Sequence, residues 1–228
     1  MRHRSGVTDD AENSSPDPQV MGAQPIPAWA EGLTPTPPWQ DLGHEVVHQT
    51  PWMKVTEHKA IAPTGRAANY GVLRFQNIAT GVLPIHPDGT VTLVGQARFA
   101  RANYSWEMPE GGAPFGEDPL DAVKRELAEE AGLAAASWKL ALKIEVSNSI
   151  TDEIGYTWIA WDLTPVPIDP DPTEIMTIVR VPFLSLLHEI ERGAILDSFT
   201  VATAYRAYHM AREGLLPGWL AHAMLTRV

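Results

Sequence analysis

The chain has 228 residues and a net charge of −11, with 17 Lys and Arg against 28 Asp and Glu; that length allows one large domain with extensions, and an acidic balance without a basic run argues against nucleic acid as a partner. The absence of cysteine excludes disulfides, thiolate catalysis and Cys-zinc sites. No apolar run reaches the length of a membrane span, and the N-terminus has arginines but no apolar core of a secretory signal, so a cytoplasmic protein without a membrane partner is expected.

Residues 1–40 are rich in Pro, Ser, Asp and Gly and read as a disordered or loosely packed arm, interrupted by Trp29 and Trp39. From residue 43 the texture changes. "HEVVHQT", "MKVTEHKAIA", "YGVLRFQ", "TGVLPIH" and "TVTLVGQARF" are short, β-branched and separated by turn residues, as strands are. "HPDGT" (86–90) is a hairpin turn in which Gly89 supplies positive φ. Residues 102–108 form a further strand, followed by a loop carrying Pro109, Gly111, Gly112, Pro114 and Gly116.

A helix comes next. Asp118 is its N-cap, Pro119 sits in its first turn, Gly132 is its C′ residue, and Leu120, Val123, Leu127 and Ala131 recur at helical spacing. "WKLALKIEV" and "GYTWIAWDL" are strands, "IDPDPTE" is a loop and "MTIVRVP" is the last strand. Helices are expected over 183–192, 198–213 and 218–226. Strands, one central helix, strands and then C-terminal helices argue for an α+β fold or a three-layer α/β/α sandwich spanning 41–213, with a helical extension over 214–228.

The central helix is acidic on one side. At about 100° per residue, Glu126, Glu129 and Glu130 fall within one arc opposite Leu127. Like charges at i,i+4 cost a few tenths of a kcal/mol when solvated, and a divalent cation reverses the sign of that cost. Mg²⁺ prefers carboxylate, water and phosphate oxygens. The Gly-rich loop that runs into the helix lets backbone approach a ligand closely. Arg125 can pair with Glu117 across the loop–helix junction. A solvated acidic face remains the alternative reading of these residues alone.

The full spacing is specific. Gly111, Glu117, Arg125-Glu126-Leu127, Glu129-Glu130 and Gly132-Leu133 fill all nine defined positions of G-x5-E-x7-R-E-U-x-E-E-x-G-U, where U is aliphatic. This pattern resembles the Nudix box. The residues upstream, Gln96, Arg98, Trp106, Glu107, Pro109 and Gly111, are similar to the Q-x-R strand and W-E-x-P-x-G of the ADP-ribose pyrophosphatase branch. The resemblance covers roughly residues 43–213.

The resemblance implies an α/β/α sandwich with a mixed central sheet, N-terminal antiparallel strands and C-terminal helices. It also implies Mg²⁺-dependent hydrolysis, with Mn²⁺ as an alternative ion, of a nucleoside diphosphate derivative such as ADP-ribose. Glu126, Glu129 and Glu130, with a backbone carbonyl at Glu110 or Gly111, are then the metal ligands, and Glu129 and Glu130 are catalytic. Glu117 and Arg125 form the structural ion pair of the motif. Arg98 is a phosphate contact and Glu107 binds metal or substrate. The general base comes from a downstream loop, with Glu174 the candidate and Glu153 its rival. Tyr70, Phe75, Phe99 and Tyr104 are available to stack a nucleobase. A homodimer that exchanges its N-terminal strands or arm is expected.

One departure bears on substrate. Asn148, in "SNSITDE" (147–153), stands where ADP-ribose members carry a marker proline, so ADP-ribose specificity does not follow from the motif. Dinucleotides, coenzyme A and oxidised nucleotides remain alternative substrates. A sensor that binds nucleotide sugar without hydrolysis is the alternative of another class, disfavoured by the complete box.

Overall fold

The structure is a computed structural model that describes residues 26–34, 36–168 and 175–226. Ten strands and four α-helices are present among the described residues, in three sheets. The central sheet holds β4 (Asn77–Pro84), β7 (Glu110–Pro114), β8 (Leu133–Glu145) and β9 (Ile154–Pro165), in the order β7-β4-β9-β8. β4 and β9 run parallel and the other pairs antiparallel, so the sheet is mixed.

Period-2 alternation decides what each face covers. Ile78 and Val82 of β4 and Tyr156, Trp158 and Ala160 of β9 point to one face, where α1 (Pro119–Ala131) packs. Leu83 and Ile159 point to the other. There they meet α2 (Phe183–Glu191), α3 (Ser198–Arg212), α4 (Gly218–Leu225), and a three-stranded sheet. That second sheet is β10 (Thr177–Pro182), β5 (Thr90–Arg98) and β6 (Asn103–Glu107), with β5 in the middle. Helices on both sides of a mixed sheet are the expected sandwich.

The predicted ends of α1 are the observed ones. The Asp118 carboxylate accepts from Leu120 N at 2.8 Å, and Gly132 closes the helix at φ +63°. Leu120, Val123, Leu127 and Ala131 are its buried stripe. Truncating a fully buried leucine such as Leu127 costs about 2–5 kcal/mol, so this stripe fixes the helix against the sheet.

The predicted loop at 109–116 is largely a strand. Glycine and proline punctuate chains locally, but β4 presents a free edge there. Residues 110–114 pair antiparallel with it, from Asn77↔Pro114 to Gly81↔Glu110. The pairing overrides the weak local preference. The segment after residue 213 shares the domain core. Leu216, Leu220, Ala221 and Met224 are buried together with residues of α2 and α3.

The third sheet is a meander of β1 (Gln40–Gln49), β2 (Met53–Ile61) and β3 (Ala67–Phe75). Every residue of β1 is exposed. β3 is tied to the 147–152 loop: Leu73 N donates to Ile150 O at 2.9 Å, and Arg74 pairs with Asp152 at 3.0 Å. Of the arm, Trp29 is exposed, while Trp39 meets the Tyr70 ring edge-on at 5.1 Å.

Candidate active site

β7 carries the site on both faces. Its alternation turns Gly111 and Ala113 toward α1 and Glu110 toward the α3 side. On the α1 side lies a cavity of about 470 Å³. Glu126, Glu129, Glu130, Gly111 and Arg125 line it, so helix spacing and strand register bring together the acidic residues singled out from the sequence.

Close approach explains the glycine. A Cβ built on Gly111 would lie 2.3 Å from the Glu126 carboxyl carbon, space that an alanine methyl would contest. On the neighbouring strand, the buried Thr80 hydroxyl donates to Gly111 O at 3.3 Å, fixing the direction of that carbonyl. Glu130 is only 5% exposed, and its Oε2 accepts from Glu110 N at 3.0 Å. One carboxylate of the box is therefore locked to the strand. These residues fit a hard divalent cation: several carboxylates share one cavity, next to a backbone position with no side chain.

Arg125 is more than one half of an ion pair. Its guanidinium lies 3.5 Å from Glu117, 2.8 Å from Glu126 and 3.2 Å from Glu129. It offsets part of the charge of the acidic face and ties the middle of the helix to Glu117 in the strand–helix connection.

A second cavity, about 330 Å³, lies beyond Glu110 and Gly111. Arg98, Glu110, Thr80, Glu153 and Asp197 line it. Arg98 Nε donates to both oxygens of Glu107 at 3.0 Å, and its Nη2 donates to Glu107 Oε2 and to Glu110 Oε1, the latter at 3.0 Å. Glu107 is 3% exposed, so the fork of Arg98 holds a buried charge. The hydrogen bonds to Glu107, with the nearby Glu107 and Glu110 charges, raise the guanidinium pKa further and keep it cationic.

Two acidic side chains here escaped the sequence reading, which named Glu110 only for its backbone carbonyl. Burial pushes the Glu110 carboxyl well above its usual range; Asp197 and Glu107 add to the shift and Arg98 opposes it. Burial also raises Asp197, which caps α3 by accepting from Thr200 N at 2.6 Å. The cap was legible as Asp197 immediately before the predicted helix, but its approach to Glu107 and Glu110 joins segments about ninety positions apart and leaves no local signal.

The proposed base-stacking residues are elsewhere. Tyr70 packs on Trp39, Tyr104 packs edge-on to Trp106 at 5.5 Å, Phe99 is fully exposed and Phe75 is half-buried; none of the four lines either cavity. Trp52, which the sequence did not single out, lines the first cavity and is largely exposed. Glu174 lies outside the described residues, whereas its rival Glu153 lines the second cavity.

Residues 76–199, more than half of the chain, match the NUDIX domain. The chain belongs to the Nudix family. The chain is 28% identical over 127 residues to an ADP-ribose pyrophosphatase of Mycobacterium tuberculosis, covering 54% of this chain and 61% of that protein. The chain thus spans about three fifths of that relative's length. It is 27% identical over 184 residues to an ADP-sugar pyrophosphatase of Mus musculus, covering 73% of this chain and 84% of the relative. An RNA pyrophosphohydrolase of Caulobacter vibrioides is 46% identical, but over 55 residues, 24% of this chain and 31% of that protein. The fold matches a crystal structure of an ADP compounds hydrolase with a TM-score of 0.73 at 20% identity, covering 79% of this chain and 98% of that one.

Proposed function

We propose that this Nudix protein is a divalent-metal-dependent pyrophosphohydrolase that cleaves ADP-ribose or a related nucleoside diphosphate sugar. The convergence of Glu126, Glu129, Glu130 and Gly111 on one cavity supports this reading. Water attacks one phosphorus and its oxygen stays on that phosphate. The bond to the bridging oxygen breaks, and that oxygen leaves with the other phosphate. The products are a nucleoside monophosphate and a sugar phosphate.

Mg²⁺, with Mn²⁺ as a substitute, would when bound neutralise diphosphate charge and lower the pKa of water. Glu126, Glu129, Glu130 and Gly111 O would hold such an ion, and Glu129 or Glu130 would orient the attacking water. Glu117 and Arg125 brace the turn into α1. Arg98, its Nε and Nη2 held by Glu107 and Glu110, would contact a phosphate through Nη1. The proton leaves the water to Glu174 or Glu153. Trp52, on the rim of the first cavity, is placed to stack a nucleobase, and Trp52→Ala should raise KM while leaving kcat nearly unchanged.

A homodimer through the N-terminal sheet is part of the same reading, supported by the exposure of edge strand β1 with Leu42, Val46 and Val47. Light scattering on the full chain decides it. Among the described residues no helix is long and apolar enough to cross a membrane, and a cytoplasmic site of action is proposed with the substrate class.

The experiment is phosphate-coupled hydrolysis across ADP-ribose, ADP-glucose, GDP-mannose, UDP-glucose, NADH and 8-oxo-dGTP. It is run with Mg²⁺ or Mn²⁺, with and without chelator, beside Glu130→Gln. Metal-dependent turnover of a nucleoside diphosphate sugar, lost in Glu130→Gln, is expected. Nucleotide binding without turnover of any substrate would overturn the enzymatic reading in favour of a sensor.

A further inference from the structure

A second group of potential ligands lies on the N-terminal sheet, outside both cavities of the active site. Asp41 and His44 sit on β1 and His58 on β2, and each offers an atom within 4.8 Å of the others. His44 and His58 are direct cross-strand partners with ring centroids 4.6 Å apart. Asp41 is three positions before His44, which in a regular strand would place it on the opposite face. The register shift between Asp41 and His44, with Gly43 at φ +123°, corrects this and brings Asp41 beside both imidazoles. The Gly43 amide also donates to Asp41 Oδ1 at 3.0 Å, which leaves Oδ2 directed at the rings.

The hydrogen bonds around His58 hold Nδ1 against Asp41. Its Nε2 lies 3.0 Å from the Thr56 hydroxyl, which is also 3.4 Å from Val72 O. Arg74 Nη2 approaches the same nitrogen at 3.5 Å, its charge balanced by Asp152 at 3.0 Å. The other ring nitrogen, Nδ1, meets Asp41 Oδ2 at 3.0 Å. A guanidinium N–H only donates, so Nε2 is an acceptor and Nδ1–H donates to Asp41 Oδ2; a metal ion on Nδ1 takes the place of that proton. A proton joins two groups; the third, His44 Nδ1, is 4.0 Å from the same Oδ2. Ligand atoms on a tetrahedral ion with bonds of about 2.1 Å are roughly 3.4 Å apart. The His58–Asp41 edge already meets that spacing, and the exposed His44 side chain needs a shift of only about an ångström to join.

We propose that Asp41, His44 and His58 bind one divalent transition-metal ion, of the Zn²⁺ or Co²⁺ kind, that staples edge strand β1 to β2. Two imidazoles and one carboxylate select such an ion over Mg²⁺, which takes oxygen ligands. With an ion on Nδ1 the ring proton moves to Nε2, where the Thr56 hydroxyl 3.0 Å away accepts it and fixes the ring plane of His58, as partners of metal-bound histidines do. Three protein ligands leave a fourth position open, on the side of a cavity of about 310 Å³ lined by Trp39, Asp41, His58 and Tyr70.

The test titrates tag-free full-length protein with Zn²⁺, and with Co²⁺ followed by its visible absorption, in excess Mg²⁺ so that the Nudix-box carboxylates are occupied. One equivalent bound by the wild type and by Glu130→Gln is expected. His44→Ala, at an exposed position, should weaken binding at least about ten-fold and abolish the Co²⁺ band; Thr56→Val should weaken it by roughly 10–100-fold. Zn²⁺ should raise the melting temperature of the wild type and not of His44→Ala. Binding unchanged in His44→Ala, binding lost in Glu130→Gln, or no binding in excess Mg²⁺ would each overturn the proposal.

Discussion

Gly111→Ala isolates the role of one missing side chain. The new methyl carbon would lie 2.3 Å from the Glu126 carboxyl carbon, 2.4 Å from Oε1 and 2.7 Å from Oε2. Ordinary contact begins near 3.4 Å, so the carboxylate must retreat by about 1 Å. The clash is with the end of a flexible side chain, and the backbone of Gly111 is not in the left-handed region. Stability should therefore change little: the disturbed Glu126–Arg125 pair is partly exposed and contributes about 0–1 kcal/mol, under roughly 4 °C in melting temperature for a domain of this size. Catalysis should change much more. Magnesium–oxygen bonds are about 2.0–2.1 Å and a site tolerates about 0.2 Å of error. A 1 Å displacement costs on the order of 100-fold, or about 2.7 kcal/mol of transition-state stabilisation. The assay is kcat/KM for the preferred diphosphate sugar against Mg²⁺ concentration, with thermal unfolding alongside. Wild-type kcat/KM at an unchanged Mg²⁺ requirement would refute the assignment of this cradle, and a large loss of stability would refute the claim that only a side chain must move.

Three further outcomes test other parts of the structure. Arg98→Ala leaves Glu107 buried without its fork, and should cost about 1–3 kcal/mol in urea denaturation, less than a fully buried pair because Arg98 is partly exposed. Adding Glu107→Gln should recover part of that loss; a cost below about 0.5 kcal/mol would show that the pair does not hold the site. Leu220→Ala opens a cavity under α4 and should cost about 2–5 kcal/mol, whereas less than about 1 kcal/mol would mean that α4 is not part of the core. Burial, with Asp152 adding, raises the Glu153 carboxyl above its ordinary 4.5. The folded protein then keeps a proton that the unfolded chain has released, so this group's contribution falls as pH rises from 4.5 through the folded value. Wild-type stability relative to Glu153→Gln should decline across that window by under about 1 kcal/mol, since Glu153 is only half-buried; a difference that rises with pH would refute the shift.

Local chemistry made much of the chain legible. Asp118, Pro119 and Gly132 bound α1 because capping and left-handed termination are properties of a few consecutive residues. The stripe of Leu120, Val123, Leu127 and Ala131 and the opposing carboxylates both follow from 3.6 residues per turn. The 109–116 segment was misread as a loop because its strand character comes from the edge of β4, not from its own residues.

The sequence by itself determined the spacing of the Nudix box, the helix that carries it and the order of strands and helices, since each depends on neighbours a few residues apart. Only the tertiary structure decided the rest. Glu110, Asp197 and Arg98 share a cavity because β7, α3 and β5 converge, and Trp52 reaches the box because the N-terminal sheet leads into β4. The burial that raises the Glu110 and Asp197 carboxyls exists only after those segments pack. Proximity between residues far apart in the chain is a product of packing, and no periodicity along the chain encodes it.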